Sequence, residues 1–305
     1  MTNNKNLKRF LFWGVASVIM VYLVILAGAI VRGTGAGMGC PDWPKCFGLW
    51  IPPTDIAQLP DNYQTLFSDN GKVYVEPFNP IKTWTEYVNR LIGALSGLSL
   101  FIMLVFAFKI RKEFPKSFFL TLLAFALLLL QAWLGAKVVY TNLMPHMITY
   151  HMVLAMIIVG TLILSIVSTL NYQRNVSQNK LFFILLIFMF IQMVLGVLVR
   201  EQIDVIMKKW MYEKRELWLS TVDNIFLVHR TFSWVILFSS LYFFYKLRFT
   251  DAKLHATLQL IGVIVLLVTG IFFQYFHFPA FAQPIHLLTT SLMIGNLFYG
   301  FAKTY

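Results

Sequence analysis

Thr85-Glu86-Tyr87-Val88-Asn89-Arg90-Leu91 opens an apolar run that extends from Trp84 to Phe108. A run of that length can cross a bilayer as a helix, since about 20 apolar residues span the hydrocarbon core. Yet it carries a carboxylate, an amide and a guanidinium within its first two turns. Ionisable side chains at such depth are costly and by default mark functional positions, here Glu86 and Arg90. The alternative is that Glu86 and Arg90, four residues apart, neutralise each other on one helix face. A second copy of the pattern far along the chain, His229-Arg230, favours the functional reading.

The composition agrees with a membrane setting. Of 305 residues, 58% are hydrophobic and 12% charged, with a mean hydropathy of +0.70. This belongs to a polytopic membrane protein and excludes an ordinary soluble globule. The net charge of +12 is no nucleic-acid footprint, because the basic residues lie dispersed in short loops instead of on one face. Apolar stretches at 10–31, 84–108, 117–140, 147–170, 181–200, 221–245, 254–276 and 284–302 predict eight transmembrane helices in an all-α membrane protein. Lys5, Lys8 and Arg9 precede the first helix. Lys109, Arg111, Lys112 and Lys116 fill the second loop, Arg174 and Lys180 the fourth, and Lys246, Arg248 and Lys253 the sixth. By the positive-inside rule both termini are expected in the cytoplasm. The fifth loop (Lys208, Lys209, Lys214, Arg215) is balanced by Glu201, Asp204, Glu213 and Glu216 and reads as a mixed-charge segment at the outer surface, compatible with a helix but not requiring one. Nine residues precede the first run without an Arg/Ser-rich stretch, so the expected location is a bacterial plasma membrane, not an organelle.

The segment 32–83 is then a long external loop rich in Gly, Pro and Asp, and a loop of that length is usually functional. It contains the only two cysteines, Cys40 and Cys46. On the oxidising side they can close a small disulfide, either as a loop staple or as a redox pair, and the residues alone leave both open.

Four helices followed by four suggest duplication. Gly28-Ala-Ile-Val-Arg32 closes the first helix and Gly196-Val-Leu-Val-Arg200 the fifth. Tyr87-Val-Asn-Arg90 in the second answers Leu227-Val-His-Arg230 in the sixth. Ile148-Thr-Tyr-His151 in the fourth answers Gln283-Pro-Ile-His286 in the eighth. The expected architecture is two pseudo-twofold-related four-helix bundles, residues 1–175 and 176–305. In the second, His229 and His286 lie at similar depth on facing helices and can clamp a haem through neutral imidazoles. Arg200 and Arg230, with Arg32 as the counterpart of Arg200, are candidates for haem propionates. In the first half the equivalent positions hold Asn89 and His151, so a haem there has one strong protein ligand and an open face. His146 is the one substitute ligand available nearby. His255 and His277 read as interfacial or packing residues.

At this point the chain resembles a known family. The run Thr34-Gly-Ala-Gly-Met-Gly-Cys-Pro-Asp-Trp-Pro-Lys-Cys-Phe-Gly48 is similar to the first external loop of haem A synthases. The likeness extends to Glu86-Tyr-Val-Asn-Arg90, Tyr150-His-Met-Val-Leu-Ala155, Val228-His-Arg-Thr231 and Gln283-Pro-Ile-His286. The resemblance implies oxidation of the C8 methyl of haem O to the formyl of haem A by successive hydroxylations through an alcohol and a gem-diol. It implies a haem b cofactor held by His229 and His286, and a substrate haem held by His151 with Asn89 and Arg90 alongside. Glu86 would stand near the reacting methyl, where a low-dielectric site suits it to hold water or move protons. Cys40 and Cys46 would be the family's external pair. Asn89 stands where the family commonly has His, which puts bis-histidine binding of the substrate haem in question. The implied partners are haem O synthase, cytochrome oxidase assembly, membrane lipid and an unnamed electron donor; a homo-oligomer is compatible with this reading. Two rivals are a di-haem electron carrier of the quinol-oxidising cytochrome b type, disfavoured by Asn89, and a transporter. A transporter predicts broken helices at midplane, whereas the polar residues here lie near the outer ends.

Overall fold

The computed structural model describes residues 5–68, 75–141, 143–170, 175–210 and 213–304. Arg174, counted above in the fourth loop, lies outside the described residues. Among the described residues, eight helices are long and apolar enough to cross a membrane. They are α1 (Lys5–Gly33), α2 (Pro80–Ile110), α3 (Pro115–Tyr140), α4 (Pro145–Val167), α5 (Val176–Lys209), α6 (Ile225–Leu247), α7 (Lys253–Tyr275) and α8 (Ala282–Thr304). No strand occurs among the described residues. Proline opens α2, α3 and α4, where its missing N–H costs nothing. Asn79 caps α2, its Oδ1 accepting from the Lys82 N–H at 3.1 Å.

Each of the eight expected spans is present, and most helices outrun their apolar stretch. Lys5, Lys8 and Arg9 form the first turns of α1 instead of preceding it. The largest difference is at α5, which continues through Glu201 and Asp204 to Lys209, where the charges suggested a loop. Those carboxylates do not end the helix because both are satisfied by other helices: Thr149 donates to Glu201 and Arg32 to Asp204. Beyond it the mixed-charge segment forms two single turns, Arg215–Leu217 and Leu219–Thr221, with Trp218 packed on Val199 and Ile203.

The helices pack in two rings. α1–α2, α2–α3, α3–α4 and α4–α1 contact one another in sequence, as do α5–α6, α6–α7, α7–α8 and α8–α5. The rings meet through α1–α8, α4–α8 and α4–α5. Exchanging each helix for the one four places along leaves this pattern of neighbours unchanged. A continuous apolar core runs through both rings, including Phe10, Leu100, Met156, Leu162, Phe182 and Ile294. Large apolar side chains such as Phe12, Phe119, Phe238 and Ile264 face outward, as a lipid solvent permits. Buried hydroxyls join neighbouring helices within the first ring: Ser17 Oγ lies 3.0 Å from Ser99 Oγ, and Thr121 Oγ1 2.7 Å from Ser165 Oγ. These properties describe a multi-pass membrane protein.

The segment between α1 and α2 is folded over one end of the first ring on a small core of Met38, Cys40, Cys46, Phe47, Tyr63 and Val75. Cys40 and Cys46 are joined in a disulfide. The return of the chain after Cys46 depends on Asp42, whose carboxylate accepts the N–H groups of Phe47 at 2.6 Å and Gly48 at 2.9 Å. Gly48 adopts φ +74°, a region glycine enters without steric penalty.

Candidate active site

The opening stretch of α2 divides its polar residues between two surroundings. Glu86 is 4% exposed and lies under the disulfide loop. The Cys40 N–H donates to its Oε2 at 3.0 Å, and Arg90 Nη2 donates to its Oε1 at 2.5 Å. Arg90 also donates from Nη1 to the carbonyls of Asp42 at 2.6 Å and Lys45 at 2.8 Å, and from Nη2 to that of Cys40 at 3.2 Å. Arg90 thus neutralises Glu86, as the four-residue spacing allowed, and in addition fastens the cysteine loop over it, which neither sequence reading foresaw. Asn89 points elsewhere, its Oδ1 buried without a partner and facing Gly28 of α1.

His151 on α4 has its Nδ1 buried and unpartnered, with its ring beside Gly135 of α3. Gln131 of α3 donates from Nε2 to the His151 carbonyl at 3.0 Å, and its own Oε1 is buried without a partner. Because α2 and α4 are not neighbours in the ring, Asn89 and His151 stand on diagonal helices.

The second ring repeats this with changes. His229 on α6 has an unpartnered Nδ1, and Gln192 of α5 donates to its carbonyl at 3.1 Å while the Gln192 Oε1 is left unpartnered. His286 on α8, the diagonal helix, places its Nδ1 2.7 Å from Thr269 Oγ1 of α7. The Phe273 ring meets the imidazole edge-on at 5.4 Å. Gln131, Gln192 and Thr269 escaped sequence reasoning, since a lone Gln or Thr in a membrane helix gives no spacing signal.

Buried polar atoms without partners are uncommon in folded proteins. Here Asn89 Oδ1, Gln131 Oε1 and His151 Nδ1 collect in one ring, and Gln192 Oε1 and His229 Nδ1 in the other. Neutral imidazoles and amides facing a bundle interior on diagonal helices fit a flat metallated macrocycle such as haem. Close packing sets the opening beside His229: a Cβ added to Gly196 would come within 3.0 Å of its Cε1. Gly196→Val is therefore expected to displace the His229 ring and lower the haem content of the purified protein at least about tenfold, read by pyridine haemochrome absorbance.

The arginines are placed differently. Arg32 of α1 and Arg200 of α5, from opposite rings, share the carboxylate of Asp204: Arg32 Nη2 at 2.5 Å and Arg200 Nη2 at 3.0 Å. Arg230 is exposed near the start of α6. His146 does not join His151. Its side chain is 78% exposed and its Nδ1 lies 4.0 Å from Glu201 Oε2, at the junction of the rings, because five residues along a helix turn it away. His255 is a packing residue, as expected: its Nδ1 lies 2.7 Å from Asn296 Oδ1, between the Phe182 and Tyr299 rings.

Known proteins share this chain's pattern over most of its length. It is similar to the haem A synthase of Wolbachia from Brugia malayi, 25% identical over 329 residues with 96% of each chain covered. It is similar to that of Listeria welshimeri, 22% identical over 313 residues, covering 96% of this chain and 95% of the relative. The haem A synthase of Shewanella oneidensis is 33% identical over 149 residues, which span 48% of this chain and 42% of that protein. A family model described as cytochrome oxidase assembly protein matches residues 11–298, and the chain belongs to that family, COX15-CtaA.

Proposed function

We propose that this chain is a haem A synthase, oxidising the C8 methyl of haem O to the formyl of haem A for terminal cytochrome oxidases. The observation that carries the reading is the unequal pair of diagonal sites. One ring presents two imidazoles, His229 and His286, and the other presents one, His151, on the helix diagonal to that of Asn89, whose helix also carries the buried carboxylate of Glu86. Two imidazoles suit a resident haem b. One imidazole and an amide suit a haem that arrives as substrate and leaves as product, since an amide is a poor iron ligand.

In this reading residues 1–175 and 176–305 are two pseudo-twofold-related halves, with the termini in the cytoplasm and the disulfide loop outside. His229 and His286 would hold the haem b iron, and His151 the iron of the substrate haem. When bound, haem b supplies one-electron transfer between an external or lipid-borne donor and the substrate site. Asn89 leaves one side of the substrate haem free of a strong ligand. In this reading Glu86 accepts and returns protons while an external oxidant takes two electrons at each of the two hydroxylations of the methyl carbon, and the resulting gem-diol loses water. Arg90 holds the Cys40–Cys46 loop above Glu86, keeping bulk water from its carboxylate. Haem O synthase is the partner that supplies the substrate, and the product passes to cytochrome oxidase assembly.

Haem analysis of the protein purified after co-expression with a haem O source tests this. Haem B together with haem O or haem A is the expected content. Haem B alone would instead indicate an electron carrier, and no haem a transporter.

A further inference from the structure

We propose that Thr269 is a positioning residue that makes the second ring the retaining haem site, by fixing the tautomer of His286. The inference rests on the functional reading above and adds to it a reason why one haem stays and the other exchanges.

A threonine hydroxyl has one proton. Thr269 Oγ1 lies 2.9 Å from the Val265 carbonyl and 3.0 Å from that of Leu266, in the preceding turn of its own helix. Helical threonines direct the proton to that turn. The oxygen then meets His286 Nδ1 at 2.7 Å with lone pairs only, so the imidazole must be the donor. A neutral ring protonated at Nδ1 carries no proton at Nε2, and Nε2 is then the bare nitrogen a metal needs. The Phe273 ring holds the imidazole edge, and Thr290 Oγ1 donates to the His286 carbonyl at 2.9 Å. Ring angle, tautomer and backbone are all set by the protein.

The other histidines of the two sites have no such partner. His229 and His151 each leave Nδ1 buried and unpartnered, and the nearby glutamines reach their backbone carbonyls instead. Asn89 offers no imidazole at all. A metal-binding histidine that loses its second hydrogen-bond partner binds about 10–100-fold more weakly. The one pre-set ligand therefore lies in the half read as holding the resident haem, and the half read as exchanging haem has none.

Thr269→Val keeps the shape and removes the hydroxyl; Thr269→Ser restores it, and Thr269→Ala removes it without a branched side chain should the Val variant not accumulate. Each is loaded with haem b, and the rate of haem loss to excess apomyoglobin is followed with the haem midpoint potential. Loss about 10–100-fold faster in the Val or Ala variant is expected, with a shifted potential, while the Ser variant stays within about threefold of the parent. Parental retention and potential in Thr269→Val would overturn the proposal. His286→Ala separates the two levels. If it also retains haem b with an unchanged spectrum, the assignment of His286 fails and the functional reading with it. If it sheds haem b while Thr269→Val does not, only the role of Thr269 falls.

Discussion

His286→Ala is expected to purify with less than about a tenth of the parental haem b, whereas His229→Ala retains a larger share as a five-coordinate, high-spin haem. The difference follows from how each ring is held. His286 is supported at Nδ1 by Thr269, at its edge by Phe273 and through its backbone by Thr290. In the proposed reading, removing it would delete the ligand that needs no reorganisation to bind iron and would leave the Thr269 hydroxyl facing a void. His229 is constrained chiefly by close contact with Gly196 and by the Gln192 amide on its carbonyl. In the proposed reading it would contribute a bond to iron without a fixed tautomer, so its loss would weaken the site before emptying it. Pyridine haemochrome absorbance gives the haem content, and the optical spectrum of the ferric protein gives the spin state. A six-coordinate low-spin spectrum at parental haem content in His286→Ala would remove it from the ligand set.

Much of this arrangement was legible in the sequence because a membrane simplifies the code. Runs of about 20 apolar residues have one stable outcome in lipid. Polar residues within them stand out, so Glu86, Asn89, His151, His229 and His286 could be chosen before any coordinates, and the repeat supplied their pairing. What could not be read was what those polar groups touch. Arg90 binds backbone carbonyls of the loop 45 to 50 positions away, and a carbonyl belongs to every residue type. Arg32, a propionate candidate by its position, also meets Asp204, 172 positions away on the other ring, which no local pattern announces. The same pairing hid the true end of α5: Glu201 and Asp204 look like loop residues unless Thr149, Arg32 and Arg200 are known to meet them. Long-range partners of buried charges leave no local pattern, and there the reading from sequence stops.

The sharpest case is Glu86, where anchoring and chemistry are superimposed. Glu86→Ala is expected to keep its haem b and to form haem A at least about 100-fold more slowly, the usual scale for losing a positioned proton-transfer group. The variant separates the two roles because the loop has other ties. Without Glu86, Arg90 still donates to the Asp42, Lys45 and Cys40 carbonyls, Thr83 Oγ1 still donates to the Gly39 carbonyl at 2.9 Å, and the disulfide remains. The loop therefore stays seated while the carboxylate is gone. Arg90→Ala does the reverse: it cuts the three arginine ties to the loop carbonyls and leaves the Glu86 carboxylate with the Cys40 N–H. Product formation by Arg90→Ala should fall less than by Glu86→Ala, with the loop becoming sensitive to protease. Haem O and haem A are quantified by chromatography of extracted pigment, and limited proteolysis reports on the loop. An unchanged haem A yield in Glu86→Ala would end its role in proton transfer. Equal losses in both variants, with the loop cleaved in both, would reduce Glu86 to the structural partner of Arg90 that their spacing first allowed.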